Sequence, residues 1–310
     1  MQIIRCTPQE YKDAFPTPSH VFNSVEFNEL NRHKCEDVHY LLFKDDKGKV
    51  RFGIILGQKD GLLKSPFSAP FGGMEARGCQ RVDYYVDAVG ELRRYALGLG
   101  KKIRVIIPPS AYASNSNIEK QINALLTNGG NIEYSDYNYS YTLDDFQAFN
   151  DNLWPNARRN LKASMRLPFE FVKGEGREFV ADVYRVVKLN HDEHGYPVHM
   201  SLDDVMDTVE MACMADFFQV KLDGELVASA MIYLTSSSVA QLIYWGDDAR
   251  FRDMRPMNFL AYKLLEYYHK AGFGSFDFGP SSSDGIPSLG LCNFKESLGC
   301  HMTPKFTIEL

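Results

Sequence analysis

Hydrophobic positions in this chain follow two rhythms. Short apolar runs read as strands, and stretches with apolar residues three to four positions apart read as helices. Val38–Phe43 (VHYLLF), Val50–Gln58 and Leu62–Phe67 are strand-like, with a turn at Asp45–Gly48. The loop SAPFGGMEARGC leads to a helix near Arg81–Leu99, where Val82, Val86, Val89, Leu92 and Ala96 recur at helical spacing. A strand at Ile103–Ile107 follows, closed by Pro108-Pro109. A helix near Asn117–Leu126 and a strand near Asn131–Thr142 complete the first half.

The second half repeats this order. Phe217–Leu222 and Leu226–Leu234 pair about the Asp223-Gly224 turn, and Val239–Trp245 is a third strand. The helix Pro256–Ala271 places Met257, Leu260, Ala261, Leu264, Leu265 and Tyr268 on one face. Pro256 suits its first turn, and Gly272 and Gly274 sit where it stops. A strand at Ser275–Phe278, a helix near Leu289–Leu298 and a strand at Pro304–Ile308 end the copy. Ahead of it, Asp144–Lys162 reads as a linker turning into a helix start, and Pro168–Val172 as a strand. Glu178–Leu189 and Leu202–Ala215 read as helices, the second opened by Ser201 with Asp204 three residues on. The matched order predicts two α+β domains, residues 1–145 and 146–310, each a mixed sheet flanked by helices.

Composition narrows the class. A chain of 310 residues suits about two domains, and 45% hydrophobic with 24% charged residues is globular. The net charge of −6 argues against a protein that coats nucleic acid. No apolar run approaches the roughly 20 residues that span a bilayer. MQIIRCTPQE has no signal-peptide core. Six cysteines without a CxxC pair read as free thiols in a reducing cytoplasm, with no zinc site.

Several residues carry candidate chemistry. Arg250, Arg252 and Arg255 lead into the helix at Pro256, whose positive dipole end repels cations, so an anionic ligand such as a phosphate would explain them. Asn258, in the first turn, joins them as a cofactor-binding candidate. The same arginines also read as a solvated loop paired with Asp247, Asp248 and Asp253. Asp277, between two strand phenylalanines, is either a general base of raised pKa or a structural acceptor. Arg158, Arg159, Lys162 and Arg166 form a basic cluster that could dock a phosphate-rich ligand or simply face solvent. HDEHGYPVH (His191–His199) reads as a loop between helices; Gly195 and Pro197 break any metal-binding register.

Three motifs give these elements a family likeness. NARRNLKA (Asn156–Ala163), FDFG (Phe276–Gly279) and NFKESLG (Asn293–Gly299) resemble, in this order, segments of Fem-type proteins, in which two GNAT acyltransferase-like domains stand in tandem. The long helical hairpin common in members that use aminoacyl-tRNA is missing, as is the glycine-rich pyrophosphate loop of simple GNAT enzymes. The resemblance implies that the fourth and fifth strands of the second domain part. Main-chain amides at Tyr244, Trp245 and Gly246 would then hold an acyl carbonyl. As ordinary strand aromatics, Tyr244 and Trp245 would do no such work. The resemblance also implies that Lys295 faces the substrate cleft, unless it is a surface lysine. His191, His194 and Tyr196 would contact the acceptor or move a proton, as would Arg158 and Arg159 for its anionic parts. The first domain would be catalytically silent and form one wall of the cleft.

The expected activity is N-acyl transfer from acyl-CoA, a co-substrate rather than a bound cofactor, to an amine of a small molecule or cell-envelope precursor. The alternatives are an aminoacyl-tRNA-dependent transferase and a non-catalytic ligand-binding protein.

Overall fold

The computed structural model describes residues 1–112 and 116–310, which fall into two compact units. Unit 1 comprises residues 1–137, 282–286 and 303–310; unit 2 comprises residues 138–281 and 287–302.

Unit 1 begins with β1 (Gln2–Cys6), α1 (Pro8–Ala14) and α2 (Val25–Leu30). Then come β2 (Asp37–Lys44), β3 (Val50–Lys59), β4 (Leu62–Ser65), β5 (Glu75–Ala76), α3 (Val82–Gly98), β6 (Lys102–Ile106) and α4 (Asn117–Thr127). β1 to β4 form an antiparallel meander, and β4 then pairs parallel to β6. Thr307–Glu309 pair antiparallel with β6 on its other side. The unbroken apolar run of β2 reflects burial on both faces. Leu41 and Phe43 face Val89 and Leu92 of α3, while Tyr40 and Leu42 face Tyr11 of α1 and Phe15 at its end. Gly53 leaves room on that second face, since a Cβ there would lie 2.6 Å from the Phe15 ring.

In unit 1 the chain after β4 folds back across the parallel pair. Gly72 N donates to Ile106 O at 2.9 Å, and Gly73 N donates to Ser65 Oγ at 3.0 Å. Phe71 is fully buried there. The loop SAPFGGMEARGC therefore plugs its own sheet.

Unit 2 takes residues 138–142 of β7 (Asn131–Thr142). It continues with α5 (Phe149–Asn152), α6 (Pro155–Ser164), β8 (Phe169–Gly174), α7 (Arg177–His194) and α8 (Leu202–Met211). β9 (Ala215–Leu222), β10 (Glu225–Leu234), β11 (Val239–Asp247), α9 (Pro256–Lys270), β12 (Ser275–Pro280) and α10 (Leu289–Ser297) complete it. β8 to β11 are antiparallel neighbours, β11 and β12 are parallel, and β12 pairs antiparallel with residues 138–142. This repeats the pairing pattern of unit 1. Buried α7 residues Val183, Val186 and Val187 cover one face of the sheet, and Leu260, Leu264, Leu265 and Tyr268 of α9 belong to the core on the other.

Two sequence expectations change. The boundary does not fall once between 145 and 146, because residues 303–310 complete the sheet of unit 1 and residues 138–142 that of unit 2. Local pattern carries no information on such distant partners. The loop expected at His191–His199 starts late. Helix α7 runs to His194 and stops at Gly195, whose φ of +69° suits glycine. Nothing between Leu189 and His194 breaks a helix, and a Lys188–Asp192 ion pair one turn apart supports the extension.

Candidate functional site

β11 and β12 separate because each follows its other neighbour. Their register holds for three pairs, ending at Gln241 with Asp277. Beyond it β11 stays with β10 as far as Asp247, while β12 follows residues 138–142 as far as Pro280. A bulge in β11, between the pairs Met231–Tyr244 and Ile232–Leu242, adds a local bend. The edge of β11 from Leu242 to Asp247 is thus left without strand pairing from β12. This is the parting expected from the family resemblance.

A cleft of about 370 Å³ opens here, lined by residues of unit 2 alone. Trp245 forms an apolar wall with Phe294, their ring centres 5.8 Å apart, and also meets Phe278 at 5.5 Å. Gly246 is buried against α7, where Asn190 fills the place of a side chain. Tyr244 does not line the cleft. Its hydroxyl accepts from His199 N at 3.1 Å, and burial raises its pKa. It therefore anchors the segment after α7.

The three arginines divide. Arg250 is exposed and pairs with Asp248 at 2.8 Å, which holds its pKa high. Arg252 lines the cleft but is bound by both Glu193 oxygens, at 3.0 and 2.9 Å, and reaches Asp247 at 3.4 Å. The Glu193 carboxylate drives the Arg252 pKa upward, and its own falls in return. Arg255 lines the cleft with no ion-pair partner among the described residues. Its backbone is left-handed, φ +59°, as it turns into α9. Asn258, 6% exposed, also lines the cleft.

The histidines close one rim. The His194 ring nitrogen Nδ1 lies 2.8 Å from Asn190 O, and since a carbonyl only accepts, Nδ1 carries the proton. In the neutral ring Nε2 is then the nitrogen with the lone pair. The ring stacks on Tyr196, whose hydroxyl lies 3.3 Å from Ser288 Oγ. His191 is half-buried beside Tyr244 and Tyr196, and burial lowers its pKa. It does not line the cleft, unlike His194 and Tyr196.

Asp277 and Lys295 also take other places. Asp277 is fully buried and its carboxylate is satisfied. Oδ1 accepts from Asn138 and from Gly279 N, both at 2.8 Å, and Oδ2 accepts from Gln241 at 3.1 Å. It braces the point where the two strands part, and its geometry is that of a structural acceptor. Lys295, 3% exposed, donates to the carbonyls of Phe278, Gly279 and Pro280 at 2.8, 2.9 and 3.0 Å. It fixes the turn after β12 and does not face this cleft. Arg158 donates to the Asp151 and Leu153 carbonyls, closing α5. Arg159, Lys162 and Arg166 are exposed, with no ion-pair partner among the described residues.

Five cleft residues were not singled out from the sequence: Asn160, Asn190, Gly290, Leu291 and Phe294. Asn190 is central. Its side chain donates to Asp247 Oδ1 at 2.7 Å and its carbonyl holds His194. The signal available was its position one helical turn before His194.

Residues 155–295 match the family of acetyltransferase (GNAT) domains. No curated protein sequence matches the chain. Among solved structures, FemX is similar over 100% of this chain and 97% of its own, at 12% identity and a TM-score of 0.72. The C-terminal domain of a putative lysylphosphatidylglycerol synthetase from Agrobacterium fabrum is similar over 98% and 92%, at 13% identity and a TM-score of 0.62. A tandem GNAT protein from the clavulanic acid biosynthesis pathway is similar over 99% and 97%, at 10% identity and a TM-score of 0.55. The chain has a Fem-like tandem GNAT fold.

Proposed function

We propose that unit 2 is an N-acyltransferase that takes an acyl group from a coenzyme A thioester and passes it to an amine. The observation that carries this reading is the edge of β11 that β12 leaves beyond Gln241, which lines one cleft together with His194. A strand edge left open offers main-chain amides to the carbonyl oxygen that becomes an oxyanion. The thioester end of the donor lies in the parting, against Trp245 and Phe294.

The amine nitrogen attacks the thioester carbon and the C–N bond forms. His194 Nε2 takes the proton the nitrogen sheds, the C–S bond breaks, and the sulfur leaves with the bonding pair. Asn190 keeps His194 in the tautomer that can do this. Tyr196, stacked on the ring, fixes its plane.

The test is a panel of short and long acyl-CoAs, read by thermal protection and by thiol release in the presence of simple amines. Protection together with amine-dependent thiol release is expected, and His194→Ala should lower the rate about 100-fold or more. If no acyl-CoA protects and none releases thiol, the donor assignment fails.

A second reading has one observation in its favour. Arg159 is exposed and neighbours Asn160, which lines the cleft. With Lys162 and Arg166, which like it have no ion-pair partner among the described residues, it makes a basic track, as an aminoacyl-tRNA donor would need. Binding through several RNA phosphates falls steeply with salt. A salt-independent interaction removes this reading.

A further inference from the structure

Helix α7 loses its hold on the core before it ends. Its last buried side chain is Val187, and Asp192, Glu193 and His194 are exposed. A helix end without buried side chains frays, because its final carbonyls have no partners within the helix. Gly195 N closes this one on Asp192 O and His191 O, which ends the helix but ties it to nothing else. Yet His194, which takes the proton in the transfer proposed above, stands on this turn. Its Nδ1 bond to Asn190 O exists only while the turn is formed.

Two polar ties run from this turn to the strand edge, and they meet at one oxygen. At the start of the turn the Asn190 side chain donates to Asp247 Oδ1 at 2.7 Å and to Asp247 O at 3.1 Å. Near its end the Glu193 carboxylate grips the Arg252 guanidinium, which reaches the same Oδ1 at 3.4 Å. Asp247 is buried and ends β11, where pairing with Ala228 of β10 fixes its place. An ionised acceptor makes stronger and more directed bonds than a neutral one. His191 adds a ring contact with Tyr244 at 5.5 Å and meets the main chain at Trp245. A hold at one point leaves a turn free to pivot about it; Asp247 takes hold near both ends.

We infer that Asp247 is a positioning residue for His194. Its carboxylate holds the last turn of α7 against the end of β11, and so keeps the His194 proton on Nδ1. It acts through Asn190 and Arg252. An imidazole side chain free in water favours the Nε2–H form, and which nitrogen carries the proton is set by the bond the other surroundings offer. A frayed turn would therefore place the proton on the nitrogen that has to accept one. The effect on rate rests on the acyl-transfer reading above; the tautomer is a property of the protein without substrate.

The test is the tautomer of His194, read by nitrogen NMR of protein with isotope-labelled histidine rings, at about pH 8, where an ordinary imidazole is neutral. His194→Gln identifies its signal among the eight histidines. The parent protein should show Nδ1–H. Both ties use Oδ1, so Asp247→Asn, which keeps a carbonyl oxygen there, should show it too. Asp247→Ala should shift the signal toward Nε2–H. With acyl-CoA and an amine, Asp247→Ala should lower kcat about tenfold with little change in KM, and Asp247→Asn should restore it. An Nδ1–H signal that survives Asp247→Ala, or an Nε2–H signal in the parent, overturns the inference. So does a shift in Asp247→Asn as large as in Asp247→Ala, because the bonding oxygen would then not be what matters. Should Asp247→Ala not fold, Arg252→Ala releases the Glu193 tie alone at an exposed site. A partial shift is expected there, and none overturns the inference. If the tautomer behaves as described while no acyl-CoA is turned over, the positioning stands and the transfer reading falls. Turnover with the tautomer unmoved in Asp247→Ala does the reverse.

Discussion

A Cβ on residue 246 would lie 2.6 Å from the Cβ of Asn190. Helix α7 and strand β11 approach this closely only because residue 246 is glycine. The approach is what lets Asn190 reach Asp247 and hold His194 at once.

Gly246→Ala should therefore cost about 1–3 kcal/mol by overpacking. It should also push α7 away from the cleft and lower turnover beyond the loss of folded protein. Urea melts and rates per folded molecule check both. Asn190→Ala made alone should lose less stability than the glycine change, and the pair should be strongly non-additive. Simple additivity would show that the two residues do not meet.

Lys295→Met should be among the most damaging single changes in unit 2. It leaves the Phe278, Gly279 and Pro280 carbonyls without their shared buried donor. The expected loss is about 3 kcal/mol, read as a shift in the denaturant midpoint. A melt unchanged from the parent, with activity abolished, would return this lysine to the chemistry.

Asp277→Asn separates structure from catalysis in the opposite way. Its oxygens accept from Asn138, Gln241 and Gly279 N, so an amide group in their place sets donor against donor. Stability should fall by about 2 kcal/mol, while kcat per folded molecule stays within a few-fold. A pH profile that loses its ascending limb in this variant would instead identify a general base.

His20 sets a pH dependence in unit 1. Its ring is buried against Phe71 at 4.9 Å, and burial pushes its pKa down to about 3. An unfolded histidine titrates near pH 6.5, so between those values the unfolded state binds more protons. The stability linked to the neutral ring is complete above pH 6.5 and drains away as pH falls toward 3. At pH 4.5 the linked loss is roughly 2 to 3 kcal/mol. His20→Leu should remove that slope; identical pH dependence in both proteins would show that the ring is not buried neutral.

Much of the architecture was readable in the sequence because local signals agreed with the packing. Pro256, the apolar face of α9 and Gly272 bounded that helix correctly. The Ser201–Asp204 spacing became a capping box, with Asp204 N bonded to Ser201 Oγ and Ser201 N to Asp204. The small elements before β2 escaped notice, since α1 and α2 are too short for a clear apolar period. The site was harder for a different reason. Asp248 beside Arg250 was foreseen as a partner, but only the tertiary placement of Glu193 sets Arg252 apart from Arg255, which has no ion-pair partner among the described residues. Lys295 was foreseen facing the cleft, but a backbone turn with three converging carbonyls leaves no trace in residue order.

The pairing of Thr307–Glu309 with β6 also governs biosynthesis. The strand that finishes unit 1 is encoded about 165 residues after Tyr137, where the main segment of that unit ends. At ordinary elongation rates it leaves the ribosome about 10–30 s later. Until then β6 exposes a bare edge. A nascent chain stalled in this interval would be a substrate for chaperones that bind extended segments, and a message truncated before residue 303 would leave the sheet of unit 1 incomplete.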